Sequence, residues 1–210
     1  MDDKPSIGVV GTGRAWGVPD VVRVRLTATA VRPTLAAALA DSEDAARRIR
    51  TALAAAGVLA ADATTQGLSV HAEQVFNDQE GSRITGFRSE HELSVTLRDL
   101  PSAGRLLGDA VVAGGDDVRL HGVEFAVEDD EPLRARARDE AWHDALRRAE
   151  QLAALSGRRL GPVHSILEEG PARQPRPLAA GLAAARAVED DVQPGSVGLQ
   201  VSLAVTWELS

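Results

Sequence analysis

The sequence predicts an α+β fold: mostly antiparallel sheet with three helices, in the order β-β-α-β-β-α-β-α-β-β, containing a ferredoxin-like split β-α-β unit. Three observations carry this. In most extended stretches apolar and polar residues alternate at a two-residue period, as in a sheet with one covered face. Three longer stretches switch to three- and four-residue spacing, as in amphipathic helices. Glycine or proline stands where the rhythm changes.

Taken in order, Ile7 to Gly13 reads as a short first strand ending in Gly-Thr-Gly. From Pro19 to Val31, the residues Val22, Val24, Leu26, Ala28 and Ala30 face one side, and Arg23, Arg25, Thr27 and Thr29 the other. Thr34 is placed to cap a helix with the stripe Leu35, Leu39, Ala46, Ile49, Leu53 and Ala56, which Gly57 stops. Glu43–Arg47 and Asp44–Arg48 have the i,i+4 spacing of helix-surface ion pairs. Thr64–Phe76 and Ile84–Leu97 form a hairpin around a polar insert at 77–82. In its second strand Phe87, Leu93, Val95 and Leu97 point one way, and Arg88, Glu90, Glu92 and Ser94 the other.

Asp99–Ala113 is a shorter helix stopped by Gly114-Gly115, and Val118–Val127 a strand with Val123, Phe125 and Val127 toward the core. The longest helix, Pro132–Ser156, follows the acidic run Glu128–Glu131. Proline fits its first turn because the missing N–H would have no helical partner there, and acids suit the positive end of the helix dipole. Arg159–Glu169 is a strand interrupted at Gly161-Pro162. The Pro/Ala/Arg-rich insert 170–194 reads as a flexible loop with room for a short helix at Leu178–Val188. Residues 196–209 alternate throughout, from Val197 to Leu209. A straight strand of that length runs about 46 Å at roughly 3.3 Å per residue. It must bend at a bulge or project, and a projecting edge invites pairing with another subunit. The chain reads as a single domain over residues 7–209.

Composition removes several functions. Lys+Arg number 23 against 31 Asp+Glu, a net charge of −8, which is no footprint for nucleic acid. There is no cysteine, hence no disulfide, thiolate metal site or cysteine nucleophile. There is no tyrosine and only 3% aromatic residues, too few for a base-stacking platform. The chain starts without a basic, apolar leader and contains no run of 18 apolar residues. A cytoplasmic protein with no transmembrane segment is the expectation.

The motifs are weak. Gly11-Thr12-Gly13-Arg14-Ala15-Trp16-Gly17 has its third glycine one residue late for a dinucleotide fingerprint, and a strand follows instead of a helix. It reads as a β-turn. The histidines are His71, His91, His121, His143 and His164, with no H-E-x-x-H and no i,i+4 pair. Across the hairpin His71 opposes Arg88 or Ser89, not His91, so ordinary surface or half-buried histidines are expected. A deep pocket gathering His71, Arg88 and His91 would point instead to ligand binding or catalysis. Glu128–Glu131 reads as helix-start electrostatics, not a cation site, and Glu189-Asp190-Asp191 as a solvated loop. There is no G-x-S-x-G, S-x-x-K or P-loop. Arg134, Arg136, Arg138, Arg147 and Arg148 are balanced by Glu131, Asp139, Glu140, Asp144 and Glu150. They read first as a solvated face and second as an anion or partner surface. Trp142 is expected to anchor packing, and Trp16 falls in the first loop. No catalytic, cofactor-binding or metal-binding residue is assigned, and no cofactor.

Several stretches together resemble a known family. They are Val10-Gly11-Thr12-Gly13 followed by Pro19-Asp20, Ile84-Thr85-Gly86-Phe87-Arg88-Ser89, and the helix segment from Ala135 to Ala141. Ala149-Glu150-Gln151-Leu152-Ala153, Gly157 to Val163, and the closing Pro194-Gly195 with its long strand complete the set. In order and spacing they resemble the SIMPL-domain family, a domain of unknown function that includes periplasmic immunogenic proteins, over about residues 7–209. The resemblance implies an α+β fold, no established enzymatic activity, a tendency to self-assemble, and export with envelope or stress-tolerance roles. It supplies no catalytic residues. The expected function is therefore a non-enzymatic, self-associating module engaged in assembly or partner binding. The alternative is a small-molecule or anion-binding domain using the sheet face or the Arg-rich helix.

Overall fold

A computed structural model describes residues 5–77, 81–169 and 195–210. The expected flexible insert 170–194, with Leu178–Val188 and Glu189–Asp191, lies outside them. The elements are β1 (Ser6–Gly17), β2 (Val21–Arg32), α1 (Leu35–Ala55), β3 (Ala63–Asn77), β4 (Gly81–Leu97), α2 (Leu100–Gly114), β5 (Val118–Ala126), α3 (Glu131–Leu155), β6 (Leu160–Glu169) and β7 (Val197–Leu209). This is the α+β order read from the sequence, with one added 3-10 turn at Ala60–Asp62. The chain forms two compact units: Asp20–Ala126, and the described residues of Met1–Pro19 with Val127–Ser210.

The inserted unit, Asp20–Ala126, is the split β-α-β arrangement. Its sheet has the order β3-β4-β2-β5, all neighbours antiparallel. Two-residue alternation on β2 sends Val22, Val24, Leu26 and Ala28 into a core with Leu93, Val95 and Leu97 of β4. Ile49 and Leu53 of α1 and Leu106 and Ala110 of α2 close that core. Thr34 caps α1, its hydroxyl accepting from the Ala37 N–H at 3.3 Å. Just past the helix Gly57 adopts φ +88°, which glycine alone adopts at no steric cost.

The stripe of α1 differs from the one read in the sequence. Its buried residues are Ala38, Ser42, Ala45, Ala46, Ile49 and Leu53, while Leu35 and Ala56 are exposed. Ser42 sits inside because its hydroxyl meets that of Ser89 on β4 at 2.7 Å, which removes the cost of burying either. Asp44 takes both Arg47 and Arg48 as ion-pair partners, so the expected Glu43–Arg47 pair does not form. Val123 is exposed, and Val127 falls beyond β5 and packs in the other unit's core.

That other unit is a sheet of order β1-β7-β6 with α3 across one face. Here the first strand is corrected. Gly11 to Gly17 is not a turn but the middle and end of β1, paired in unbroken antiparallel register with β7 from Ser6↔Glu208 to Gly17↔Val197. The glycines serve α3. A Cβ on Gly11 would lie 2.1 Å from the Ala141 carbonyl oxygen, and one on Gly13 would lie 2.0 Å from that of Ala137. The alanines 137, 141, 145, 149 and 153, four apart and buried, are the helix side of this close approach. The last strand is not a projecting edge. It is central, with β1 along its whole length and β6 from Ser202 to Leu209. The open edge that suggested a second subunit there is thus mostly filled within the chain. The Gly161-Pro162 break appears as a register shift between Leu160 and Val163, since proline has no N–H to offer the ladder.

Gly13→Ala is expected to destabilise by about 2–3 kcal/mol, as overpacking against backbone that cannot yield. Gly104→Ala in α2, where a Cβ meets nothing within 4 Å, is expected to stabilise by about 0.5–1 kcal/mol. Chemical unfolding followed by the fluorescence of the Trp142–Trp207 pair, whose ring centroids lie 5.8 Å apart, and by far-UV dichroism measures both. Equal effects of the two substitutions would contradict the close-approach reading.

Candidate functional site

The residues that would have made a polar pocket are not brought together. His71 is paired across the hairpin with Arg88, as expected, and Arg88 forms an ion pair with Glu73. His91 lies opposite Ala28 and Leu68, on the helix-covered face. His71 and Arg88 alternate with it and so face the other way. His121, His143 and His164 are exposed and scattered over β5, α3 and β6. Among the described residues no three His, Asp or Glu side chains converge on a point that could hold a metal ion. Two shallow depressions run along α1, one lined by Arg47, Arg48 and Thr51, the other by Arg50, Val58 and Leu59. Neither holds a histidine.

His91 is the one buried histidine, 7% exposed. Its Nε2 is 2.9 Å from the Thr65 hydroxyl, and its Nδ1 has no partner. Burial, aided by the nearby Arg50, lowers its pKa below the ordinary 6.5, and Glu43 opposes the shift only in part. The neutral ring is therefore the form the fold holds. The signal available in the sequence was its place in the alternation, in step with Ser89 and Leu93.

The arginines of α3 are engaged within the chain. Arg134 pairs with Asp130 at 2.8 Å, and Arg138 with Glu131 at 2.6 Å and Glu168 at 2.9 Å. Those two partners raise the Arg138 pKa further. Arg147 pairs with Asp144. The remaining two belong to a ladder that sequence reasoning missed. Arg136 donates to the Trp16 carbonyl at 3.3 Å, Glu140 accepts from the Arg14 N–H at 3.0 Å, and Asp144 accepts from the Thr12 N–H at 3.1 Å. Arg148 donates to the Val10 carbonyl at 3.1 Å. Four helix residues advance about 6.0 Å and two strand residues about 6.7 Å. Side chains four apart therefore keep step with alternate backbone groups on the free edge of β1. The Arg-rich face guards the strand edge, and four of its five arginines also pair with carboxylates of the chain.

What the inserted unit leaves open is an arm. The pairing of β2 with β4 ends at Arg32↔Phe87, while β3 and β4 continue as a two-stranded ribbon to Asn77↔Gly81. The five residues of β3 beyond Ala72 extend it by about 17 Å. Its apolar side chains are bare: Phe76 is 74% exposed, Val75 57% and Ile84 54%. Gln74↔Ile84 and Phe76↔Ser82 are cross-strand partners, so Phe76 and Ile84 are diagonal neighbours on one side and Val75 lies on the other. An isolated two-stranded ribbon is marginal in water. Three large apolar residues thus stand in water near the end of the ribbon, two on one side and one on the other.

The family described as SIMPL, a protein of unknown function (DUF541), matches residues 7–207. The chain belongs to the SIMPL family. Among similar proteins is the 26 kDa periplasmic immunogenic protein of Brucella melitensis, 27% identical over 221 aligned positions that cover 100% of this chain and 87% of that protein. The uncharacterized protein YggE of Escherichia coli is 26% identical, over 85% of this chain and 71% of its own. YggE of Edwardsiella ictaluri is 29% identical, over 84% and 73%. In this SIMPL chain the Val-Gly-Thr-Gly stretch that carried the resemblance is a packing feature in mid-strand, not a strand end. The Ile-Thr-Gly-Phe-Arg stretch runs from Ile84 near the end of the arm to its root at Phe87 and Arg88. Among the described residues no helix is long and apolar enough to cross a membrane, and the cytoplasmic expectation gains no support from relatives of which one is named periplasmic.

A histidine whose folded pKa lies below its unfolded one leaves stability intact above about pH 6.5 and removes it as pH falls toward the folded value, because the unfolded chain takes up the proton first. Unfolding free energy measured from pH 7.5 to 5 is expected to fall less steeply in His91→Asn than in the parent. An unchanged slope would mean that His91 is not held neutral.

Proposed function

We propose that this SIMPL chain is a non-enzymatic module that works by self-association, its hairpin arm gripping a second copy. The observation that carries this is the bare apolar tip of the arm, Val75, Phe76 and Ile84. Docking that tip covers the side chains and stiffens a ribbon that is weak alone. Such a grip, arm on one copy and a different surface on the other, is heterologous and builds rings or filaments. Assembly in the envelope, on the side of the membrane named for the Brucella relative, is part of the same reading. The α3 arginines support the rival anion-binding reading poorly, since all five have partners within the chain.

Sedimentation equilibrium across micromolar concentrations tests the proposal. The parent is expected well above its 22.1 kDa chain mass, and the double variant F76S/I84S to shift at least tenfold in concentration toward the monomer. The variant's unfolding free energy is expected to change by no more than about 0.5 kcal/mol, as for exposed positions. A parent that stays monomeric, or a variant that associates as the parent does, contradicts the proposal.

A further inference from the structure

The face of the inserted unit's sheet opposite α1 and α2 carries a charge pattern that matches itself. Four successive rungs of the β2–β4 ladder read Arg23↔Thr96, Arg25↔Ser94, Thr27↔Glu92 and Thr29↔Glu90. Residues two apart on a strand share a face, and here they alternate with buried Val22, Val24, Leu26 and Ala28. All four charged groups therefore stand on the side opposite α1 and α2, where Glu124 of β5 aligns with Arg23 as a further acid and Thr27 between them is buried. Arg23, Arg25 and Glu92 are exposed and Glu90 half-buried. None of the four has an ion-pair partner among the described residues, unlike most acids and arginines of the helices. The neighbouring strands carry glycine here, each beside a register shift in the ladder. Gly67 of β3 aligns with Glu92, and Gly122 of β5 with Arg25, and a Cβ on Gly122 would meet nothing within 4 Å.

We infer that this face is a two-fold contact with a second copy, in which Arg23 and Arg25 of each copy meet Glu90 and Glu92 of the other. The inference rests on the self-association reading and names a second surface for it. The geometry is simple. Consider a two-fold axis midway between two facing sheets, perpendicular to the strands and passing between the Arg25 and Glu92 rungs. It lays β2 over β2 and β4 over β4 with the strand direction reversed. Rungs are about 6.7 Å apart, so Arg25 comes to the level of the partner's Glu92 and Arg23 to that of the partner's Glu90, one strand aside at about 4.8 Å. An axis parallel to the strands would set arginine over arginine. The same operation puts Arg119, which aligns with Thr27, opposite the partner's Gly122, where there is room. Four strands by four rungs span about 19 by 27 Å, about 500 Å² a copy. That is the low end of specific interfaces. The contact is thus weak, specified by charge and sensitive to salt. An isologous face joined to a heterologous arm carries assembly past a dimer.

The test uses the whole chain and two charge-reversed variants, R23E/R25E and E90R/E92R. In sedimentation equilibrium at about 0.05 M salt each variant alone is expected to self-associate at least tenfold more weakly than the parent. Their 1:1 mixture, whose faces are complementary at every rung, is expected to recover the complex. Raising salt to about 0.5 M, where the screening length falls to a few ångströms, is expected to abolish that recovery. Dichroism checks folding, and the single exchanges R25E and E92R repeat the test where a double variant does not fold. Variants that associate as the parent does, or a mixture that stays apart, overturn the inference. If F76S/I84S still dissociates in that case, self-association stands and only this face is rejected. A monomeric parent overturns both.

Discussion

The backbone of α3 lies against the backbone of β1, and only Gly11 and Gly13 allow it. The virtual Cβ contacts of 2.1 and 2.0 Å are far inside any tolerable separation. Alanine at 137, 141 and 145 supplies the matching shallow surface on the helix. At that distance Arg136, Glu140, Asp144 and Arg148 reach the edge of β1 and bond its outward carbonyl and amide groups. A larger residue at either glycine would lift the helix and leave four backbone groups with water or with another strand. Close packing and edge protection are therefore one device, and it accounts for Gly11 and Gly13 in mid-strand.

That device bears on which edges are open. A bonded edge does not recruit a second chain, so in the unit of β1, β6 and β7 the most obvious route to strand pairing on the β1 side is blocked. In the inserted unit the situation differs. The helices cover one face of its sheet, and the other keeps unpaired charges in a fixed pattern. The hairpin outruns its neighbours and holds apolar side chains in water. Chemistry that would compete with an association role is thin among the described residues. The histidines are dispersed, the one buried ring is held neutral by its surroundings, and the acidic run before α3 serves the helix, with Asp130 and Glu131 bonded to its own arginines.

Much of this was legible in the sequence because it depends on local period. The faces of β2 and β4, the His71–Arg88 pairing across the hairpin and the glycine stops after α1 and α3 all follow from residues near one another. What escaped depends on partners far along the chain. Gly11 to Gly17 looks like a turn because glycine favours turns, and its true reason, α3, begins more than a hundred residues later. Ser42 looks like a break in an apolar stripe until Ser89 is placed beside it. The last strand looks like a projecting edge until β1, at the other end of the chain, proves as long. The exposed arm tip was readable as a polar loop flanked by apolar residues, but not its extension beyond β2, because where a third strand stops is a property of pairing and not of composition.

Hydrogen exchange of the intact chain at low and high protein concentration tests the central claim, that this protein acts through the surfaces of its inserted unit, most directly. Added protection at high concentration is predicted for the arm, residues 73–76 and 82–87, and for the rungs of β2 and β4. The amides of Thr12 and Arg14, already bonded to α3, should stay unchanged. Exchange that does not depend on concentration anywhere, or that changes along β1 and not in the arm, would contradict the account.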